Sequence, residues 1–219
     1  LRERADRILD AAGELLLRHG YRKVTVDDIA ARAEVGKGTV YLHWRTKNEL
    51  FEALMLRESI ELVEEWCALM RQDPANVRPH RFARVAFLSM CRRPLLRAML
   101  ATDLDLLGKL AHHPMRSHDL LAAERFHLVG EKYALLRTDV PHLAYTMAAA
   151  QVGFYVLDGT ETADSALDLE SRADALAFIV RETFEPAEQP SPEVLAAAAT
   201  EFITIFSALI PPYRQWIYD

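Results

Sequence analysis

The stretch Thr25–Leu50, TVDDIAARAEVGKGTVYLHWRTKNEL, limits what this chain can fold into more than any other part of it. It reads as two short helices joined by a tight turn. The first runs from about Val26 to Ala33. Thr25 precedes it as an N-cap, because its hydroxyl can accept a hydrogen bond from an unpaired N–H of the first turn. Asp27 and Asp28 follow, where negative charge suits the positive end of the helix dipole. Val26, Ile29, Ala30 and Ala33 share one apolar face, and the small Ala30 lets a second helix cross closely. Glu34-Val35-Gly36 forms the turn, with Val35 as an apolar plug beneath it. The second helix runs from about Lys37 to Trp44, with Gly36 at its cap. Val40 and Trp44 face inward, which leaves Lys37, Gly38, Thr39, Tyr41, Leu42 and His43 towards solvent or a groove. A short helix with a polar outer face, propped by another across a tight turn, suits the major groove of DNA.

The flanks agree with this geometry. Arg2 to His19 reads as one helix with Ile8, Ala12, Leu15 and Leu16 along its apolar stripe, and Gly20 stops it from the C′ position. Thr46 is placed to cap the next helix, with Glu49 three residues on as in a capping box. Lys47 opens that helix, where backbone N–H groups and a lysine together can hold one phosphate. Asn48 to about Arg71 then forms a long helix carrying Leu50, Phe51, Leu54, Met55, Leu62, Trp66 and Leu69. Its first turns suit the short helices and its last turns suit whatever follows, so it acts as a lever between them.

Residues 4–54 resemble the N-terminal domain of the TetR family of bacterial transcription regulators. The matching pieces are Ile8-Leu9-Asp10-Ala11-Ala12, His19-Gly20-Tyr21, Thr25 to Ala30, Ala33, Val35, Gly38-Thr39, Tyr41, Trp44, Lys47 and Leu50-Phe51, in order and at the family's spacing. The chain departs from the pattern at Glu34, where the family has glycine in the turn, which asks a non-glycine residue for positive φ. It departs also at Gly36, Leu42 and Trp44, and these bear on how bases are read. The resemblance implies an all-α protein with two parts. Residues 1–48 form a three-helix DNA-binding domain with the helix-turn-helix. Residues 49–219 form a helical bundle for ligand binding and dimerisation, with 49–71 as the connecting helix. The implied function is a DNA-binding transcription regulator, a ligand-responsive repressor that binds a pseudo-palindromic operator as a homodimer. The alternative is a DNA-binding or scaffold protein with no small-molecule effector. Thr25, Lys37, Gly38, Thr39, Tyr41, His43 and Lys47 are the expected DNA contacts. Thr25 serves as cap, as phosphate contact, or as both.

The net charge of −6 looks wrong for a DNA binder until it is divided. Residues 1–48 carry 10 Lys/Arg and 7 Asp/Glu, a balance of +3, and residues 49–219 carry 16 and 25, a balance of −9. The basic excess therefore lies with the proposed DNA module. The opening LRERADRILDAAGELL is charged and helical rather than a signal-peptide pattern. No uninterrupted apolar run reaches the length of a membrane span. Cys67 and Cys91 are too few and too separated for a disulfide framework or a cysteine zinc site. A cytoplasmic location is expected.

The remainder reads as successive helices, without strand alternation. Pro79–Arg92 is one. Another begins at Pro94 and carries Leu95 to Leu110, and a third spans His118–Leu136. Asp139-Val140-Pro141 starts a helix to about Leu157. Ser165–Phe184 follows, then Glu193–Ile210, which Pro211-Pro212 stops. The helices near 141–157 and 166–184 suit pairing with a second copy. The first carries Ala148, Ala149, Ala150 and Gly153, and the second Leu169, Ala173, Leu176, Ala177, Val180 and Phe184. An ordinary intrachain core is the alternative, with Glu193–Ile210 supplying the interface. The effector pocket implied by the resemblance draws on Phe87, Met90, Cys91, Met99, Phe126, Tyr133, Tyr145, Met147, Gln151 and Tyr155, a mix of apolar walls and sparse polar groups. His112, His113, His118 and His127 match no standard metal spacing. Gly36-Lys37-Gly38-Thr39 fails as a phosphate loop, because the upstream glycine is missing and Ser or Thr does not follow the lysine directly. No nucleophile–base pair is evident, so neither a cofactor nor an enzymatic role is expected.

Overall fold

The computed structural model describes residues 2–96, 126–158 and 167–219, and the regular elements among them are all helical. In chain order these are α1 (Arg2–His19), α2 (Val26–Arg32), α3 (Lys37–His43) and α4 (Lys47–Gln72). A 3₁₀ turn (Pro74–Val77) leads into α5 (Pro79–Cys91), residues 94–96 and 126–132 are also helical, and α6 (Leu143–Asp158), α7 (Leu169–Phe184), α8 (Pro192–Ser207) and α9 (Ile210–Tyr218) follow. Met99, the histidines at 112, 113 and 118, and most of the helix expected from Pro94 lie outside the described residues.

The N-terminal head has a continuous apolar core. Ile8, Leu9, Ala12 and Leu16 of α1 meet Ile29 and Ala30 of α2, Val40, Trp44, and Leu50, Phe51 and Leu54 of α4. This core continues along α4 to Ile60, and it also takes in Tyr213 and Ile217 from α9, both buried. The Tyr218 hydroxyl donates to Asp6 Oδ1 of α1 at 2.7 Å, and the Arg2 guanidinium lies 4.7 Å over the Tyr218 ring. The last helix is thus a structural part of the head. Pro211-Pro212 was expected to end a helix. Instead α8 ends at Ser207 and the prolines open α9, where their missing N–H groups cost no hydrogen bond.

The bundle holds two further cores. One gathers Phe202 and Phe206 of α8 with Trp66 of α4, Phe82 of α5 and Phe126; Phe202 and Phe206 stack at 4.2 Å. The other lies between α5 and α7, where Ala83, Phe87, Leu88 and Cys91 pack on Ala173, Leu176, Val180 and Phe184. This corrects the expected association face on Ser165–Phe184. Leu169, Ala173, Leu176, Ala177, Val180 and Phe184 turn inward, because α5 needs that apolar stripe to cover its own. The large apolar residues left outside on α7 are Phe178, 65% exposed, and Ile179, and on α6 they are Tyr145, Val152, Val156 and Leu157.

Two helix boundaries also differ from expectation. The helix expected to reach Leu136 stops at residue 132. Ala134 turns to φ 51, its N–H donating to Glu131 O, while the Leu135 N–H donates to Gly130 O. This paired closure is a Schellman motif made without glycine. His142, also at φ 51, delays α6 to Leu143. Pro192–Tyr218 contains an 18-residue window of mean hydropathy 1.8, long and apolar enough by composition to cross a bilayer. Its apolar positions include Ala198, Ala199, Phe202 and Phe206 in the bundle core and Tyr213 and Ile217 in the head core.

Candidate nucleic-acid interface

The interface is built from α2 upward. The Thr25 hydroxyl accepts the Asp28 N–H at 3.2 Å, and the Asp28 carboxylate accepts the Thr25 N–H at 2.9 Å. This reciprocal capping box starts α2 at one defined residue. The same hydroxyl donates to Asp28 Oδ2 at 2.6 Å, and these bonds from Thr25 hold the Asp28 carboxyl below its ordinary value. At the other end Glu34 takes φ 55; its N–H donates to Ala31 O and the Val35 N–H donates to Ala30 O. The turn is therefore a Schellman closure with a glutamate in the position that favours glycine. Val35 is half-buried against the head core, the plug its position implied.

That turn delivers α3 in a fixed rotation. Val40 is buried at its centre and Trp44 is buried at its C-cap. The Trp44 indole N–H is buried without a hydrogen-bond partner, a cost that a phenylalanine at this position does not carry. Lys37, Gly38, Tyr41 and Leu42 are exposed, and Thr39 and His43 are half-buried. Lys37 Nζ rests on Asp27 Oδ2 at 2.7 Å, and this partner raises the lysine's pKa. Both groups are solvated, so the pair is easily exchanged for another anion. Burial, with the charge of Arg4, lowers the His43 pKa and favours the neutral imidazole.

The junction with α4 is tighter than the sequence suggested. Thr46 caps the helix by accepting the Glu49 N–H at 3.1 Å. The expected return bond goes elsewhere, since Glu49 Oε2 accepts from the Arg45 N–H at 2.8 Å. Lys47, the first residue of α4, has Nζ 4.2 Å from the Tyr21 ring centroid and donates to the Tyr21 carbonyl. Tyr21 packs edge-on against Phe51 at 5.1 Å, and its hydroxyl donates to Asn48 Oδ1 at 3.0 Å. Asn48 Nδ2 donates in turn to Glu52 Oε1 at 3.2 Å. Sequence reasoning missed this network; the i, i+4 spacing of Asn48 and Glu52 was its only trace.

Glu52 is 6% exposed, and burial, with Glu49 nearby, pushes its carboxyl up to about 7. An acid whose pKa is raised on folding keeps a proton that the unfolded chain has released. Stability therefore falls as pH rises from the ordinary 4.5 to about 7, and is level above that. Glu52→Gln is expected to flatten this dependence and to add ~2 kcal/mol at pH 8. Thermal melts of both proteins between pH 5 and pH 8 check it.

The residues expected to form an effector pocket are not brought together as one group. Phe87, Cys91, Met147 and Tyr155 share the α5–α7 core, with the Phe87 and Tyr155 rings 5.2 Å apart. Phe126 and Tyr133 belong to the other bundle core, and the Tyr133 hydroxyl donates to Glu201 at 2.9 Å. Met90 and Gln151 are half-buried. Tyr145 is 78% exposed on the outer side of α6, so it does not line the interior with Phe87.

A short helix carried on a tight turn, with a buried keel and a solvated outer face, defines a helix-turn-helix DNA-binding head. Comparison with known proteins agrees. Residues 8–54 match the model of bacterial regulatory proteins of the tetR family. Staphylococcus aureus QacR, an HTH-type transcriptional regulator, is 36% identical over 61 residues, which is 28% of this chain and 32% of that protein. The probable acrEF/envCD operon repressor of Escherichia coli K12 is 27% identical over 120 residues, 53% of this chain and 50% of that protein. These matches span a third to a half of the relatives' own lengths. Among solved structures, SmeT, the repressor of the Stenotrophomonas maltophilia SmeDEF multidrug efflux pump, superposes with a TM-score of 0.60 at 20% identity. That superposition covers 86% of this chain and 97% of SmeT, and so extends the likeness of fold across the bundle. Residues 8–54 thus carry the domain that defines the tetR family of bacterial regulatory proteins, and the fold behind it is like that of solved TetR-type regulators.

Proposed function

We propose that this chain is a dimeric, ligand-responsive transcription regulator, a repressor, acting in the cytoplasm on a pseudo-palindromic operator. The observation that carries the reading is the presentation of α3: a buried Val40–Trp44 keel behind an exposed face of Lys37, Gly38, Tyr41 and Leu42, with Thr39 half-buried at its flank. Lys37 and Thr39 reach base edges, and Tyr41 and His43 flank them. Lys47 and the first N–H groups of α4 hold a phosphate, with Thr25 at the start of α2 as a further backbone contact. The names of the relatives, an operon repressor and an efflux-pump repressor among them, favour repression. The outward apolar residues of α6 and α7 supply the dimer face, and two recognition helices about 34–36 Å apart then read successive turns of one groove. Catalysis has no part in this reading.

The effector enters the bundle and acts through α4. Arg93, just beyond α5, grips that helix at Glu61 (2.8 Å) and Glu65 (3.0 Å), while Ser89 donates to Glu65 at 2.6 Å. Its neighbour Arg92 pairs with Glu170 of α7. Adjacent arginines thus tie the connecting helix to α5 and α5 to the dimer helix. A ligand that favours one arrangement of these elements changes the spacing of the two heads.

Two lysines test the reading. Lys37→Ala is expected to lower affinity for the operator more than for unrelated DNA. Lys47→Ala is expected to weaken both alike and to reduce the salt slope by about one ion for each head. Titrations of operator and scrambled duplexes at two salt concentrations separate the outcomes. Unchanged binding in both variants contradicts the assignment of α3 and α4 to DNA.

A further inference from the structure

The outermost point of the recognition helix is apolar. An α-helix turns about 100° per residue, so Gly38 and Leu42, two residues either side of the buried Val40, both point about 160° away from it. Thr39 and Tyr41 lie about 100° from Val40, on the two flanks. Leu42 is 84% exposed, the most exposed of the large hydrophobic residues described. At Gly38 a Cβ would meet nothing within 4 Å, so the surface beside Leu42 is open. A surface that meets α3 head-on therefore touches the Leu42 isobutyl group first, and the missing side chain at Gly38 lets it come close.

One exposed leucine is ordinary on a protein surface. At the centre of a face that enters the major groove it has a chemical consequence. Base edges there offer hydrogen-bond donors and acceptors, and one apolar group, the C5-methyl of thymine. Leucine can satisfy none of the polar atoms, and covering them strips their water without return. Against the methyl it loses nothing and buries apolar area. Building on the DNA-binding reading above, we infer that Leu42 is a specificity determinant that selects a T·A pair at one position of each half-site through the thymine methyl. The polar and charged groups around it supply affinity, and Leu42 supplies discrimination.

The test begins with selection of bound sequences from a random duplex library. The enriched duplex is then remade with deoxyuridine, which lacks only the methyl, in place of each thymidine in turn. At one symmetry-related pair of positions, uracil is expected to weaken binding about fourfold per half-site, the effect of one unburied methyl. Leu42→Ala, which removes an exposed side chain and leaves the fold intact, is expected to bind the thymine and uracil duplexes equally at that pair. Absence of any uracil-sensitive position overturns the inference, as does sensitivity that persists in Leu42→Ala; both leave the DNA-binding reading standing. Failure to enrich any sequence overturns that reading, and the inference with it.

Discussion

Replacing Phe178 with aspartate is expected to leave a folded monomer and to weaken binding to a two-half-site duplex by about 100- to 10 000-fold. The residue is 65% exposed on α7, so the change creates no cavity and unsettles no core. Beside it on α7 is Ile179, and α6 exposes Tyr145, Val152 and Val156. On the proposed reading these exposed apolar side chains supply the association face. A carboxylate introduced there must be desolvated in the dimer without a partner, which costs several kcal/mol, on the order of the whole energy of a modest interface. Each monomer then engages one half-site alone and loses the gain that comes from linking two. Light scattering and operator titration check the two halves of the prediction. A Phe178→Asp protein that stays dimeric with unchanged DNA affinity moves the interface elsewhere, with α8 the alternative weighed from the sequence.

The largest loss of stability is expected at Glu185, just beyond α7. Its side chain is 4% exposed and accepts from Arg78 at 2.9 Å, from the His80 N–H at 2.6 Å and from His80 Nδ1 at 2.7 Å. It ties the end of α7 to the start of α5, at one end of the apolar contact between those helices. Burial alone raises its pKa, but the bonds from His80 and Arg78 outweigh burial and hold the carboxyl below its ordinary value. Glu185→Ala leaves the largely buried Arg78 guanidinium without this partner, and is expected to cost about 3–5 kcal/mol. In a chain of this size that lowers Tm by about 10 °C. The sign with pH follows from the lowered pKa: the contribution is complete above the ordinary value of 4.5 and is lost as pH falls through the folded-state value. The variant should therefore approach the parent's stability in acid, and differ most at neutral pH. Melting curves from pH 3 to pH 7 measure this, and a constant difference across the range contradicts it.

Much of the head was legible because its signals are local. Thr25 with Asp28, Gly20 after His19, and Val40 with Trp44 each depend on neighbours within four residues, so spacing alone located the caps and the buried keel. Glu34 was legible through its departure from the family pattern, and it takes the positive φ that glycine usually provides. What escaped was non-local. Nothing in the sequence of α9 indicates that Tyr213 and Ile217 complete a core begun at Ala5, or that Tyr218 bonds to Asp6, 212 residues away. The apolar stripe of α7 suits a second copy or an intrachain core alike, because amphipathicity tells that a stripe is covered and not what covers it; here α5 covers it. For the same reason Phe87 and Phe126, alike as apolar wall residues, fall into different cores.

The account stands most directly on whether the chain reads DNA sequence. We would titrate it by fluorescence anisotropy against its own upstream intergenic duplex and a scrambled duplex of equal length, at low and physiological salt. The prediction is a preference of about 10³ or more, two chains per site, and affinity that falls steeply with salt. Equal, weak binding to both duplexes, with the same stoichiometry and salt slope, would contradict it.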